Sequence, residues 1–224
     1  MQRFLEIACF NPESALIAAL NGANRLELCD RMDLGGITPD FNWVKNLLPK
    51  ISIPAYVMIR PRGGDFCYSK NELAQMKSEI ERFKTINVKG FVFGVLTPEM
   101  DLNITANTEL VECAKPFPCT LHRAFDRTNN LITSLENAIQ CGFKTILTSG
   151  GQENAFAGAE NLKNLVVSAN KRIQIMPGGG VRSSNLKELI SITNAHFYHS
   201  SAVVSGTTNA DAEEIRQLKT ILNS

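Results

Sequence analysis

Nothing in this sequence stays apolar for the roughly 20 consecutive residues that a membrane-spanning helix requires. Neither sign of charge prevails. The chain has 23 Lys and Arg against 22 Asp and Glu among 224 residues, so no net field draws it to nucleic acid or to a membrane surface. Cysteine is present six times, as Cys9, Cys29, Cys67, Cys113, Cys119 and Cys141, but never as a Cys-x-x-Cys pair. That removes the zinc-ribbon and thioredoxin readings. The start, Met1-Gln2-Arg3-Phe4-Leu5-Glu6, places an acidic residue where a secretory leader needs an unbroken apolar stretch. A chain of this size can bury a large core without disulfide staples. The expected setting is therefore the cytoplasm, with reduced thiols. Gly-x-Gly-x-x-Gly is also missing after the first strand-like run, which reads Glu6-Ile7-Ala8-Cys9-Phe10-Asn11 and so carries no dinucleotide fingerprint.

What the sequence does contain is alternation. Short apolar runs occur at Phe4–Cys9, Arg25–Cys29, Pro54–Arg60, Gly90–Val95, Cys119–Ala124, Lys144–Ser149, Arg172–Pro177 and Ala195–Ser200. Helix-period segments lie between them. The clearest carries Leu73, Met76, Ile80 and Phe83 on one stripe, and Ser69 with Glu72 matches a capping box at its start. Asn11 before Pro12 suits an N-cap followed by a first-turn proline, and Asp211 with Glu214 suits a second capping box. Gly22 and Gly142 close helical segments just ahead of strands. Eight such units without a long linker predict an α/β fold, a (β/α)8 TIM barrel forming a single domain over residues 1–224.

In barrels of this kind chemistry gathers at the C-terminal ends of the strands. That rule selects Glu6, then Glu27 with Cys29, then Arg60, Arg62 and Asp65 after strand three, then His122, Arg123 and Asp126 after strand five. Glu6, Glu27, Arg60, His122 and Asp126 form the candidate catalytic set, in which His122 or Glu27 would move protons. A self-satisfied ion network is the structural alternative. The run Gly178-Gly179-Gly180 after strand seven, with His199, Ser200 and Ser201 after strand eight, fits an anion site served by backbone N–H groups and a helix N-terminus. Thr148 and Ser149 in Thr148-Ser149-Gly150-Gly151 would add donors, and Arg62 would add charge. Cys29, Cys9 and Cys67 map to the rim side. With Met58 and Met176 they are the soft donors available to Cu(I).

The stretches Arg25-Leu26-Glu27-Leu28-Cys29, Gly35-Gly36-Ile37-Thr38-Pro39 and Met58-Ile59-Arg60-Pro61-Arg62-Gly63-Gly64-Asp65-Phe66 resemble the copper homeostasis protein CutC family. So do His122-Arg123-Ala124-Phe125-Asp126, Leu147-Thr148-Ser149-Gly150, the Gly178 triplet and His199-Ser200-Ser201-Ala202. The resemblance covers nearly the whole chain. It implies a cytoplasmic barrel, a homo-oligomer (dimer or tetramer), a role in copper homeostasis and binding of copper as Cu(I). The rim residues themselves favour a small-molecule enzyme site for a small anionic metabolite, phosphorylated ones included. Neither reading calls for nucleic acid or a membrane as partner. Two departures stand out: the segment Ala202–Thr208 after Ser201 is short, and Gly151 is one glycine more than the pattern after strand six.

Overall fold

The computed structural model describes residues 3–204 and 208–224, so part of the short segment after Ser201 lies outside the described residues. Eight strands alternate with eight helices: β1 (Phe4–Cys9), α1 (Pro12–Leu20), β2 (Arg25–Leu28), α2 (Phe41–Leu47), β3 (Ala55–Met58), α3 (Lys70–Lys84), β4 (Gly90–Phe93) and α4 (Ile104–Ala114). They continue as β5 (Cys119–Leu121), α5 (Leu131–Cys141), β6 (Thr145–Thr148), α6 (Ala159–Ala169), β7 (Gln174–Pro177), α7 (Ser183–Thr193), β8 (Phe197–Ser200) and α8 (Ala212–Asn223). All neighbouring strands pair in parallel, in the order β7-β6-β5-β4-β3-β2-β1-β8. β7 and β8 lie side by side and bring the barrel near closure. The expected TIM barrel is the observed fold.

Side chains of a strand alternate between two faces, and here the two faces have different chemistry. Leu5, Ile7, Leu26, Leu28, Val57 and Ile59 belong to the main apolar core, packed with helix residues such as Ala15, Met76 and Phe83. The other face looks into the barrel. It carries Glu6, Arg25, Glu27, Thr120, His122 and His199, all buried. Helix starts follow the sequence signals in two cases. Ser69 and Glu72 form both halves of the capping box on α3, and Asn11 accepts from Ser14 N–H at the head of α1. The third differs: Asp211 caps Glu214 N–H at 2.7 Å, but the Glu214 carboxylate turns away to Ser183 N–H and Oγ on α7. A buried carboxylate is better satisfied by two donors on a neighbouring helix than by a half-exposed local amide.

Most strands end one to three residues earlier than the apolar runs do, and β5 shows why. After Leu121 the ring nitrogen Nδ1 of His122 takes up Ala124 N–H, and residues Arg123–Arg127 wind into a 3-10 turn. Gly94, just past β4, makes room for this arrangement. A Cβ there would meet Leu121 Cδ1 at 2.6 Å and His122 Nδ1 at 2.9 Å. Replacing Gly94→Ala is therefore expected to cost about 1–3 kcal/mol of stability through overpacking and to displace the His122 ring. Urea unfolding measures the first effect and the His122 imidazole NMR shifts the second.

Candidate functional site

The barrel interior is organised by Glu6. In the strand register Glu6 lies opposite Arg25 on one side and His199 on the other, so all three side chains enter the same layer. One carboxylate oxygen is ion-paired with Arg25 Nε and the other meets His199 Nδ1 at 2.8 Å. Arg25 is in turn stacked over Tyr56, 4.2 Å from the ring centroid. The far nitrogen of His199, Nε2, lies 3.9 Å from Glu27 Oε2, and Cys29 Sγ donates to that same oxygen at 3.5 Å. Burial alone would push the Glu6 carboxyl up, but Arg25 and His199 outweigh it and hold the group down at about 2. Burial pushes Glu27 up; His199 opposes the rise and Glu6 adds to it. For His199, burial disfavours the cation, yet Glu27 and Glu6 raise its pKa overall. Glu6 is thus a fixed anion with both oxygens engaged. Glu27 and His199 influence each other through charge across 3.9 Å.

Above this layer lies a cavity of about 200 Å³ at the rim, lined among others by Glu27, Arg60, His122, Gly179, Arg182 and Ser201. It meets an outer vestibule of about 900 Å³ through shared walls at Gly35, Arg60, Phe66 and Arg123. Three of its lining residues carry a buried polar atom with no hydrogen-bond partner among the described residues: Glu27 Oε1, Arg60 Nε and His122 Nε2. Buried polar atoms are nearly always paired, so this concentration marks a place built for a ligand. The His122 imidazole is neutral, because burial and then the Arg60 charge push its pKa down to about 3. Since Nδ1 accepts from Ala124 N–H, the proton sits on Nε2, the nitrogen without a partner.

The expected site residues divide into those that meet here and those that do not. Glu27, Arg60, His122, Gly179, Gly180, His199, Ser200 and Ser201 converge on the cavity, and Glu6 supports it from below. Arg60 spends its terminal nitrogens on the carbonyls of Leu34, Gly36 and Gly64. Arg62 is turned into its own loop, holding Glu72, Asp65 and the Cys67 carbonyl. Asp126 gathers Thr148 Oγ1, Ser149 N–H and Gly151 N–H, so the donors of that loop are already occupied. Gly178 N–H is bound to the Thr148 carbonyl. The first amides of α7 are capped as well, by Glu214 and Asn185, so that helix end offers no positive pole to a ligand. Cys9 packs into the helix-facing core with its thiol on the Ile7 carbonyl, and Cys67 donates to the Thr97 carbonyl in an outer loop. Cys29 shares a small interior cluster with Met58 and Val92; burial and Glu27 hold its thiol protonated.

Two arginines, Arg25 and Arg182, escaped the sequence reading, whereas Arg123 was expected at the rim. Arg25 shares its strand face with Glu27 and Cys29, which period-two alternation alone could have flagged. Arg182 directly follows the glycine triplet and Val181. It donates to Ser200 Oγ at 3.0 Å, Ser201 Oγ at 3.4 Å and the Val203 carbonyl at 3.0 Å. Arg123 bridges Asp126 and Ser149 at 2.8 Å each. Gly179, at φ +97°, lets the Arg123 guanidinium pass where a Cβ would meet it at 3.0 Å. The N–H groups of Gly179 and Gly180 have no acceptor among the described residues.

Comparison with known proteins places this architecture. The CutC family model matches residues 3–204. A family protein CutC from Histophilus somni is 41% identical over 198 residues, covering 88% of this chain and 82% of the relative. The copper homeostasis protein cutC homolog of Caenorhabditis elegans is 42% identical over 202 residues, 90% of this chain and 81% of the relative. The crystal structure of the putative copper homeostasis protein CutC from Streptococcus agalactiae superposes with a TM-score of 0.84 at 30% identity, covering 89% of this chain and 98% of that one.

The titrating groups fix a pH response. His122 has a folded pKa below its ordinary 6.5, so the unfolded chain binds the extra proton and stability falls as pH drops from about 6.5 toward 3. Glu6, lowered from 4.5, adds a second loss as pH falls through 4.5 toward 2. His199 works oppositely: its raised pKa contributes stability that is lost as pH climbs past its folded value. Urea unfolding is expected to show greatest stability near neutral pH. His122→Phe should flatten the slope between pH 6 and 4 and leave the more acidic limb in place.

Proposed function

The chain belongs to the CutC family, and from its rim cavity we propose that it is an enzyme that binds a compact phosphorylated metabolite and moves a proton on it. The observation that carries this is a charge imbalance. Glu6 is balanced by Arg25, Asp126 by Arg123, and Glu27 has His199 as its nearest basic group at 3.9 Å. Arg60 and Arg182 remain. Both line the cavity, and neither has a carboxylate within ion-pair distance among the described residues. A buried guanidinium without an anion, as at Arg60, is costly, and the half-buried Arg182 on the same cavity adds a second positive charge that favours a dianion. The free N–H groups of Gly179 and Gly180 and the Ser201 hydroxyl supply neutral donors beside them. Ser201 Oγ already accepts from Arg182 and Val203 N–H, so its own proton is left to donate. Glu27, with one oxygen unpartnered, is the group placed to take or return a proton. A cavity of about 200 Å³ is smaller than the roughly 300–1,000 Å³ of drug-sized sites, which restricts the inner ligand to a few carbon atoms.

Copper is the second reading, because the relatives carry it in their names and because Cys29 and Met58 share one interior cluster. A thiolate set of Cys29, Cys9 and Cys67 does not fit the fold, since Cys9 and Cys67 are held on other surfaces. Copper handling by this chain would run through Cys29, whose protonated thiol must lose its proton to bind the metal. No step of the proton chemistry depends on it.

Two measurements decide between the readings. Glycerol 3-phosphate is expected to raise the thermal midpoint of the wild-type protein, and Arg182→Ala should weaken its binding about tenfold, the worth of one charge-assisted contact. Undiminished binding by the variant would overturn the anion site. In an anaerobic Cu(I) titration against a competing chelator, the copper reading expects tight one-to-one binding that Cys29→Ser abolishes. Equal binding by wild type and variant would remove copper from this cavity.

A further inference from the structure

We infer that His122 acts as a neutral electrophile in this cavity, so that the metabolite carries a carbonyl and the reaction is proton transfer at the carbon beside it. The inference rests on the anion-site reading above and adds the identity of the reacting group.

The argument starts from a tautomer. His122 Nδ1 accepts Ala124 N–H at 3.2 Å, and the 3-10 turn Arg123–Arg127 holds that amide in place. The ring therefore presents Nε2–H, and that atom is buried with no acceptor among the described residues. The ring is fixed on its other sides too: Phe66 packs against it with centroids 4.8 Å apart, and Gly94 leaves no slack behind it. Arg60, stacked 4.7 Å over the same Phe66 ring, keeps an unpaired buried Nε–H. His122 and Arg60, each with a donor that lacks an acceptor, line the same cavity as Glu27, whose Oε1 lacks a donor. A saturated alcohol would satisfy these groups only in part. A carbonyl flanked by an acidic C–H satisfies both kinds, since its oxygen takes the donors and its neighbouring carbon gives a proton to the carboxylate. Neutral imidazole is suited to this task because its N–H, a weak acid, hydrogen-bonds to a developing oxyanion in a fixed position.

The step balances without an oxidant or a cofactor. Glu27 takes the proton from the carbon next to the carbonyl. The electrons of that C–H bond become the carbon–carbon double bond, and the carbonyl π electrons move to oxygen, where His122 Nε2–H holds them. Where that carbon also bears a hydroxyl, Glu27 returns the proton to the former carbonyl carbon while the hydroxyl proton passes to the oxyanion, so carbonyl and hydroxyl change places and the product is an isomer at the same oxidation level. The phosphate held by Gly179, Gly180, Arg182 and Ser201 keeps the ligand anchored throughout.

The test uses three probes of equal charge class: phosphoglycolohydroxamate, which presents a planar enediolate-like oxygen pair; glycerol 3-phosphate, which has none; and inorganic phosphate. Calorimetry on the intact protein is expected to show the hydroxamate bound roughly tenfold or more tighter than glycerol 3-phosphate. In His122→Phe that gap should collapse while the glycerol 3-phosphate affinity stays within about twofold. Equal affinities in the wild type, or a gap that survives in His122→Phe, overturn the role of His122 while leaving the anion site standing. Failure of all three probes to bind overturns both readings. Should His122→Phe not fold, 15N NMR of the wild-type imidazole is the alternative. An Nε2–H tautomer from pH 5 to 8 supports the inference, and an Nδ1–H form or an imidazolium overturns it.

Discussion

One carboxylate in the middle of the barrel sets the terms for everything around it. Glu6 holds Arg25 on one oxygen and His199 on the other, in an interior where an unpaired charge cannot stand. Because Glu6 is fully engaged, it stays ionised and fixes the orientation of His199. The free edge of that ring is thereby aimed at Glu27. His199 and Glu27, 3.9 Å apart, are then the two titratable groups of the network whose charges act on each other. Removing Glu6 would strand a buried guanidinium and release the ring together.

The rim follows a different rule. Below it, positive and negative groups cancel; at the mouth, Arg60 and Arg182 stand without carboxylates among the described residues. Arg60 is held by three carbonyls of neighbouring loops, and Arg182 by the serines after β8. Such contacts orient a guanidinium without neutralising it, so each charge stays available to an incoming anion. The carboxylate that could have quenched the site, Asp126, is instead occupied with Arg123 and the β6 loop. The Glu214 carboxylate caps α7 from the helix layer outside. Asp126 and Glu214 are thus spent on loop and helix ends, which leaves Arg60 and Arg182 without an ion pair at the cavity. A soft metal would find little there beyond Cys29 and Met58, and the thiol is kept protonated beside Glu27.

Particular residues show how far the chain could be read in advance. The eight strands, the capped stripe of α3 and the gathering of Glu27, Arg60, His122 and Ser201 at the strand ends were all visible, because period-two and period-3.6 patterns and the rim rule are local properties. Arg25 was visible in principle, two residues from Glu27 on the same face. Cys9 was misread for want of the same count, since its parity with Leu5 and Ile7 turns it toward the helices. Arg62, Thr148 and Ser149 have the chemistry of anion ligands, yet their donors are consumed by Glu72, Asp65 and Asp126. No spacing in the sequence announces those partners.

The sequence by itself determined the barrel, its order of strands and the short roster of polar side chains that face inward. These follow from alternation and capping, whose causes lie within a few residues of one another. Which of those side chains is a base, which a fixed anion and which a neutral donor was decided only by tertiary structure. Glu6 and His199 are 193 residues apart, and their pairing exists because β1 lies beside β8 when the barrel closes. The tautomer of His122 hangs on a single amide in a turn that forms only where β5 ends against Gly94. Protonation and charge balance depend on burial and on neighbours brought from distant strands, and those come into being only once the chain has closed around them.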